Sequence, residues 1–264
     1  MPYHIIVVVR EVWDTRDIVT QVVGADGRVA PGALPRRFEP EDLNSLEQAL
    51  QIKDREGGKV TVLSLAPAGD LDVLRECLYR GADEALRVTP PAGEQDTAAS
   101  AALLAAAIRR VGAHDLVLLG VGVPEGENSL LAAELAGRLG HAQVTYVDSI
   151  AELSPAGVLC RREIEMGSEF VRAPLPAVLA LGVYLLKDDP RTPRAAKAML
   201  KLKLKKAPIP EWSAAELGVG AQAVRVRLAT LTALPPRRVE TRDVDATSEA
   251  ALRAMLQEIR QEAR

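Results

Sequence analysis

Short apolar runs alternate with amphipathic stretches along the first two-thirds of the chain. Residues 5–9, 60–65, 85–88, 116–119 and 178–181 are mostly β-branched or leucine and are bounded by turn residues, the pattern of strands buried on both faces. Between them, residues 42–55, 71–80, 97–111 and 129–139 carry apolar positions at helical spacing, as Leu43, Leu46 and Leu50 do. Strand–helix–strand alternation of this kind specifies right-handed parallel crossovers. The predicted fold class is therefore α/β, a doubly wound and mostly parallel sheet.

Two stretches break the alternation. Residues 18–23 and 28–30, joined by Gly24-Ala25-Asp26-Gly27, read as a β-hairpin with Asp-Gly in its turn. Residues 144–153 and 158–164, joined by Ser154-Pro155-Ala156-Gly157, read as a second, followed by a strand at 170–172. Both are expected at the edge of the parallel sheet. After Tyr184 comes a polar loop, then a lysine-rich stretch in which Leu200, Leu202 and Leu204 alternate with Lys201, Lys203 and Lys205. The alternation predicts a strand with one apolar face, either an edge protected by its lysines or a basic strip facing a partner. Beyond it lie scattered prolines, a short strand-like run at 224–228 and an amphipathic C-terminal helix. Thr247 or Ser248 is placed to cap that helix, and Leu252, Met255, Leu256 and Ile259 form its stripe. The expected organisation is an α/β domain over residues 1–206 and an arm over 207–264 that packs on a partner.

Composition narrows the function. With 33 Lys+Arg against 36 Asp+Glu, the chain lacks the basic excess of a general nucleic-acid binder, and no nucleic-acid partner is expected. Aromatics at 3% leave few stacking platforms, so any planar ligand must lie on aliphatic side chains and backbone. No run approaches the roughly 20 apolar residues of a membrane span, and the N-terminus lacks a signal-peptide pattern, so a cytoplasmic protein without membrane insertion is expected. Cys77 and Cys160 stand without partners at ligand spacing and read as core residues. His4, His114 and His141 fall in different elements with no nucleophile motif beside them, so no catalytic residues and no metal site are expected.

In an open α/β sheet the ligand crevice lies beyond the carboxyl ends of the strands. Three such ends have suitable composition: Val8-Val9-Arg10, the stretch from Ser64 and Leu65 to Gly69, and the glycine-rich segment from Gly120 to Ser129. Glycines let a backbone approach a ligand, and a helix N-terminus offers N–H groups to a phosphate. Asn128 or Ser129 serves equally well as an ordinary N-cap, and Gly-Val-Gly as an ordinary tight turn. The spacing matches neither the dinucleotide fingerprint nor a P-loop. From the residues alone, the segment points to a ligand of nucleotide size.

Taken together, the motifs resemble those of the electron transfer flavoprotein beta subunit family. Val7-Val8-Val9-Arg10-Glu11-Val12-Trp13-Asp14-Thr15 is similar to its Val-x-Val-Lys-Gln-Val-Pro-Asp-Thr opening, with Arg10 for the lysine. Phe38-Glu39-Pro40-Glu41-Asp42 matches its Asn-Pro-aromatic-acidic segment, with Glu39 for the asparagine. Leu74-Arg75-Glu76-Cys77-Leu78-Tyr79-Arg80-Gly81-Ala82-Asp83 follows its Leu-Arg-x-x-Leu-x-x-Gly-Ala-Asp. Arg162-Glu163-Ile164-Glu165-Met166-Gly167-Ser168-Glu169-Phe170-Val171 fits the family signature, with departures at Cys160 and Met166. The likeness runs over residues 4–206 in order and spacing; the arm agrees in position and general character.

The resemblance implies a Rossmann-like, adenine-nucleotide-binding domain that holds AMP or, in electron-bifurcating members, FAD. It implies a heterodimer with an alpha subunit that carries FAD, and electron transfer from a flavoprotein dehydrogenase to a quinone reductase or other acceptor. Such a chain is an electron carrier without bond-making residues rather than an enzyme on its own account. A stand-alone adenine-nucleotide-binding module for sensing or storage is the alternative on the same fold. The implied nucleotide pocket is Val8, Arg10, Glu39, Pro40, Glu41, Asp42, Leu65, Gly120, Val121, Gly122, Val123, Pro124, Glu125, Gly126, Glu127, Asn128, Ser129, Leu130 and Leu131. Leu130 and Ala132 replace the Gln and Gly of the family's third loop, and Ala195 replaces the leucine that anchors partner dehydrogenases.

Overall fold

A computed structural model describes residues 2–18, 22–24, 29–30, 32–66, 71–93, 95–122, 130–182, 193–220, 225–226 and 243–262. Its contacts divide the chain into two compact units, Met1–Ala229 and Thr230–Arg264.

The first unit is built on a nine-stranded sheet. Its elements in chain order are β1 (Tyr3–Val8), β2 (Glu11–Trp13), β3 (Arg36–Phe38), α1 (Pro40–Glu56), β4 (Gly58–Leu65), α2 (Asp72–Arg80), β5 (Glu84–Thr89) and α3 (Thr97–Val111). There follow β6 (Leu116–Gly120), α4 (Leu131–Leu139), β7 (Ala142–Ser154), β8 (Gly157–Ile164), β9 (Gly167–Ala173), β10 (Ala177–Leu181), α5 (Ala198–Leu204) and β11 (Glu211–Ser213). The sheet order is β11-β5-β4-β1-β6-β10-β7-β8-β9. Every pair from β11 to β7 is parallel, and β7-β8-β9 extends the sheet as an antiparallel meander. The predicted α/β class and the second hairpin are both present. The five apolar runs are β1, β4, β5, β6 and β10.

Pleating sends alternate residues of each strand to opposite faces. Ile5 and Val7 of β1, Val60 and Val62 of β4, and Leu116 and Leu118 of β6 enter one core, covered by Leu46 and Leu50 of α1 and Leu74 of α2. Ile6, Val8, Leu63, Val117 and Leu119 enter the other, covered by Leu103, Leu104 and Ile108 of α3 and Leu135 of α4. With both faces covered, the strands read as continuous apolar runs. Cys77 and Cys160 are buried free thiols, and burial pushes the Cys160 thiol up to about 12. They are core residues, as expected.

The chain runs from β1 outward through β4 to β5, then crosses back to place β6 on the other side of β1. The reversal opens a crevice between the carboxyl ends of β1 and β6, where Arg10 follows one strand and Gly120 ends the other.

Several expectations are corrected. The lysine-rich stretch is a helix, α5, rather than a strand. Ala, Met, Leu and Lys are all strong helix formers. α5 is held against α2: the Lys197 N–H donates to Tyr79 O (2.9 Å), and Arg75 Nη1 donates to Ala207 O (3.2 Å). Pro208 and Pro210 after it lead into β11, which the sequence reading missed. β11 extends the sheet beside β5, with the Arg87 N–H donating to Pro210 O (2.9 Å) and the Arg87 guanidinium paired with Glu211. Of the first predicted hairpin, the described residues show one antiparallel bridge, Val23 with Val29; residues 19–21 and 25–28 lie outside the description. β2 and β3 pair antiparallel on either side of that excursion. The run predicted at 224–228 lies outside the described residues except Arg225 and Val226.

In the second unit, α6 (Glu249–Glu262) is the predicted C-terminal helix. Ser248 Oγ accepts from the Ala251 N–H at 3.4 Å, the capping position expected for it. Leu256 and Ile259 on its apolar stripe are exposed.

Candidate functional site

The segment between β3 and α1 crosses the switch-point crevice. Pro40 occupies the first turn of α1, where its missing N–H costs nothing, and Glu41 and Asp42 follow in that same turn. Acids there favour the positive end of the helix dipole. In this chain they also reach across to the strand ends.

Asp42 has a side chain fully shielded from solvent, and both of its oxygens are saturated. Oδ2 accepts from the Arg10 backbone N–H and from Arg10 Nε, each at 2.8 Å. Oδ1 accepts from Arg10 Nη2 at 2.7 Å and from the Gly120 N–H at 2.8 Å. Arg10 Nη2 also donates to Gly120 O at 3.4 Å. One carboxylate thus ties the ends of β1 and β6 to the start of α1. Burial works against the charged Arg10, but the attraction and hydrogen bonds of Asp42, with the nearby charges of Glu39 and Glu41, hold its pKa above the ordinary value.

Glu41 Oε2 accepts from the Gly122 N–H at 2.7 Å. Burial pushes its carboxyl above the usual range, the Gly122 N–H works against that, and Asp42 adds to it. Gly120 is required by this packing. A Cβ there would fall 2.5 Å from Glu41 Cβ and 2.8 Å from Asp42 Oδ1.

Glu39 precedes Pro40 and donates its backbone N–H to Arg10 O (3.1 Å). The residue is only 4% exposed, and its Oε2 has no hydrogen-bond partner. Burial, reinforced by Asp42 and opposed by Arg10, lifts its carboxyl to about 7.

Of the residues singled out in the sequence, the structure brings together Arg10, Glu39, Pro40, Glu41, Asp42, Gly120, Val121 and Gly122. Val8, Val121 and Leu131 are buried in the core shared with α3 and α4, and Leu65 packs partly against it. Leu130 precedes α4 and is exposed. Val123, Pro124, Glu125, Gly126, Glu127, Asn128 and Ser129 lie outside the described residues. Two N–H groups of the glycine-rich segment, those of Gly120 and Gly122, are engaged by carboxylates. The sequence had marked these acids and glycines separately. Their direct pairing was missed, because no local pattern reports a contact between residues about 80 positions apart.

Two other clusters were also missed. Arg194 lies against α1, its backbone N–H and guanidinium donating to Glu47 at 2.9–3.2 Å while Nη1 pairs with Asp54 at 2.8 Å. His114 and His141 meet with their Nε2 atoms 3.0 Å apart, and burial followed by the charge of His114 lowers the His141 pKa. Among the described residues no group of three or more His, Cys, Asp or Glu is placed to hold a metal ion. Among those residues, too, no helix is long and apolar enough to cross a membrane.

The described part of the crevice carries three carboxyl groups against one guanidinium, whose Nε and Nη2 are engaged by Asp42. That charge repels a phosphate, while nearby apolar side chains and one carboxyl oxygen without a partner suit the uncharged base or ribose end of a nucleotide. The described residues therefore fit the uncharged end of a nucleotide better than its phosphates.

A family model described as electron transfer flavoprotein domain matches residues 27–217. The chain is 33% identical over 222 residues to the caffeyl-CoA reductase-Etf complex subunit CarD of Acetobacterium woodii, covering 83% of this chain and 82% of that one. It is 34% identical over 224 residues to protein FixA of Azorhizobium caulinodans, covering 82% and 77%. To an electron transfer flavoprotein subunit beta of Megasphaera elsdenii it is 31% identical over 239 residues, covering 85% and 86%.

Proposed function

The chain belongs to the electron transfer flavoprotein family, and from that premise we propose that it is the beta subunit of a heterodimer whose alpha subunit carries FAD. It passes electrons from a flavoprotein dehydrogenase to a quinone reductase or other acceptor, and works in the cytoplasm. Its own nucleotide is AMP or FAD, with the base end held by Glu39 and the walls formed by Val8, Leu65 and Val121. FAD, where bound, supplies the electron chemistry. This chain's residues supply position: Asp42 and Arg10 lock the strand ends, and the packed cores on either side exclude water.

The observation that carries this reading is the cluster of Arg10, Glu39, Glu41, Asp42 and Gly120 at the switch point of the sheet, in a chain that shares its family's motifs. Exposed apolar side chains support a subunit that meets other proteins. Met166 is 94% and Phe170 64% exposed on the β8–β9 hairpin, and Met199 and Leu202 are exposed on α5. Within residues 207–264, β11 stays in the sheet and Ala214, Leu217 and Val219 pack on its core; α6 we assign to contact with the alpha subunit.

Co-expression with a FAD-bearing alpha subunit tests the proposal. The expected product is a yellow complex whose flavin is bleached by a dehydrogenase and its substrate. A stable, colourless chain that associates with no such subunit would contradict it.

A further inference from the structure

Glu39 stands apart from its neighbours. Asp42 accepts four hydrogen bonds and Glu41 accepts one from Gly122, whereas Glu39 Oε2 is buried with none. A buried carboxylate oxygen left unpaired is costly, and the cheapest remedy is a proton. Among the described residues, the charges that act on Glu39 are Arg10 from the end of β1 and Glu41 and Asp42 from α1, and the Glu41 backbone N–H also favours its ionised form; Gly120 and Gly122 at the end of β6 present backbone N–H groups to Asp42 and Glu41. Arg10 directs Nε and Nη2 to Asp42, and Glu39 Oε2 takes no hydrogen bond from it. Ionised Glu39 would be a third carboxylate around one guanidinium; protonated, it is a hydrogen-bond donor without an acceptor. Consistent with this, burial lifts its carboxyl to about 7.

We propose that Glu39 reads the crevice's ligand as a carboxylic acid, its Oε2–H donating to an uncharged acceptor such as a ring nitrogen of an adenine base, so that binding takes up a proton. This rests on the nucleotide reading above and adds the polarity of the contact. The balance is simple: the ionised fraction of Glu39 gains one proton from solvent on binding, and no bond of the ligand changes. Affinity scales with the protonated fraction, so it falls about tenfold from pH 6 to pH 8.

Calorimetric titration of the full, nucleotide-free chain with adenosine tests this, because adenosine has no group that titrates in that range. Titrations at pH 6 and 8, each in two buffers of different ionisation enthalpy, are expected to show the tenfold loss and net proton uptake. Glu39→Gln keeps a donor that does not titrate, and should bind equally at both pH values without uptake; Glu39→Leu should bind weakly at both. If adenosine binds with an affinity that is flat or rises with pH, or if AMP binds and adenosine does not, the inference is overturned and the nucleotide reading stands. If neither AMP nor adenosine binds at pH 6, both are overturned.

Discussion

Helix α1 builds two arginine–carboxylate clusters along its length, and they differ in their balance. At its start, Glu39, Glu41 and Asp42 surround Arg10, and one carboxyl oxygen is left over. Further along, Glu47 and Asp54 take Arg194, and Glu47 accepts from the Arg194 backbone, its guanidinium and Gln51 Nε2. The second cluster is closed; it pins the segment leading into α5 to the body of the sheet. The first is a closed knot with an open acid beside it. Saturated groups hold a fold together, whereas a buried group without a partner marks a place prepared for something else.

Removing carboxylates one at a time should separate these roles. Asp42→Ala strands a buried Arg10 and the Gly120 N–H, and should cost about 3–5 kcal/mol in chemical denaturation; a loss below 1 kcal/mol would mean the knot does not hold the strand ends. Glu47→Ala should cost about 1.5–3 kcal/mol. It should also speed hydrogen exchange at Lys197 while leaving nucleotide affinity unchanged, and lowered affinity would erase the contrast between the clusters. Glu39 should act through pH. Its folded carboxyl lies near 7 against an ordinary 4.5, so its contribution to stability is full below about 4.5 and is lost as pH rises through 7. Comparison of wild type with Glu39→Gln at pH 5 and 8 should expose that loss, on the order of 1–2 kcal/mol after allowance for solvent screening. Asp54 is 60% exposed, and Asp54→Asn should change stability by no more than about 0.5 kcal/mol.

Much of this architecture was legible in the sequence because parallel strands covered on both faces leave unbroken apolar runs, as residues 5–9 and 116–119 do. The error at α5 has an equally physical cause. Leu200, Leu202 and Leu204 alternate with lysines, yet Leu and Lys are both strong helix formers, so the alternation alone does not decide between strand and helix. β11 was hidden because it is three residues long and follows directly on Pro208 and Pro210. At the site, the order of strand ends located Arg10, Glu39 to Asp42 and Gly120 to Gly122. That Asp42 and Glu41 engage the Gly120 and Gly122 N–H groups depends on how the chain crosses the crevice, and no spacing along the sequence encodes it.

The central claim is that the switch-point crevice holds an adenine nucleotide in a flavin-bearing heterodimer. Denaturing the purified heterodimer and identifying the released nucleotides by mass tests it most directly. The account predicts AMP, or FAD in excess of the alpha subunit's own, released in proportion to this chain. Release of the alpha subunit's FAD and nothing else would contradict it.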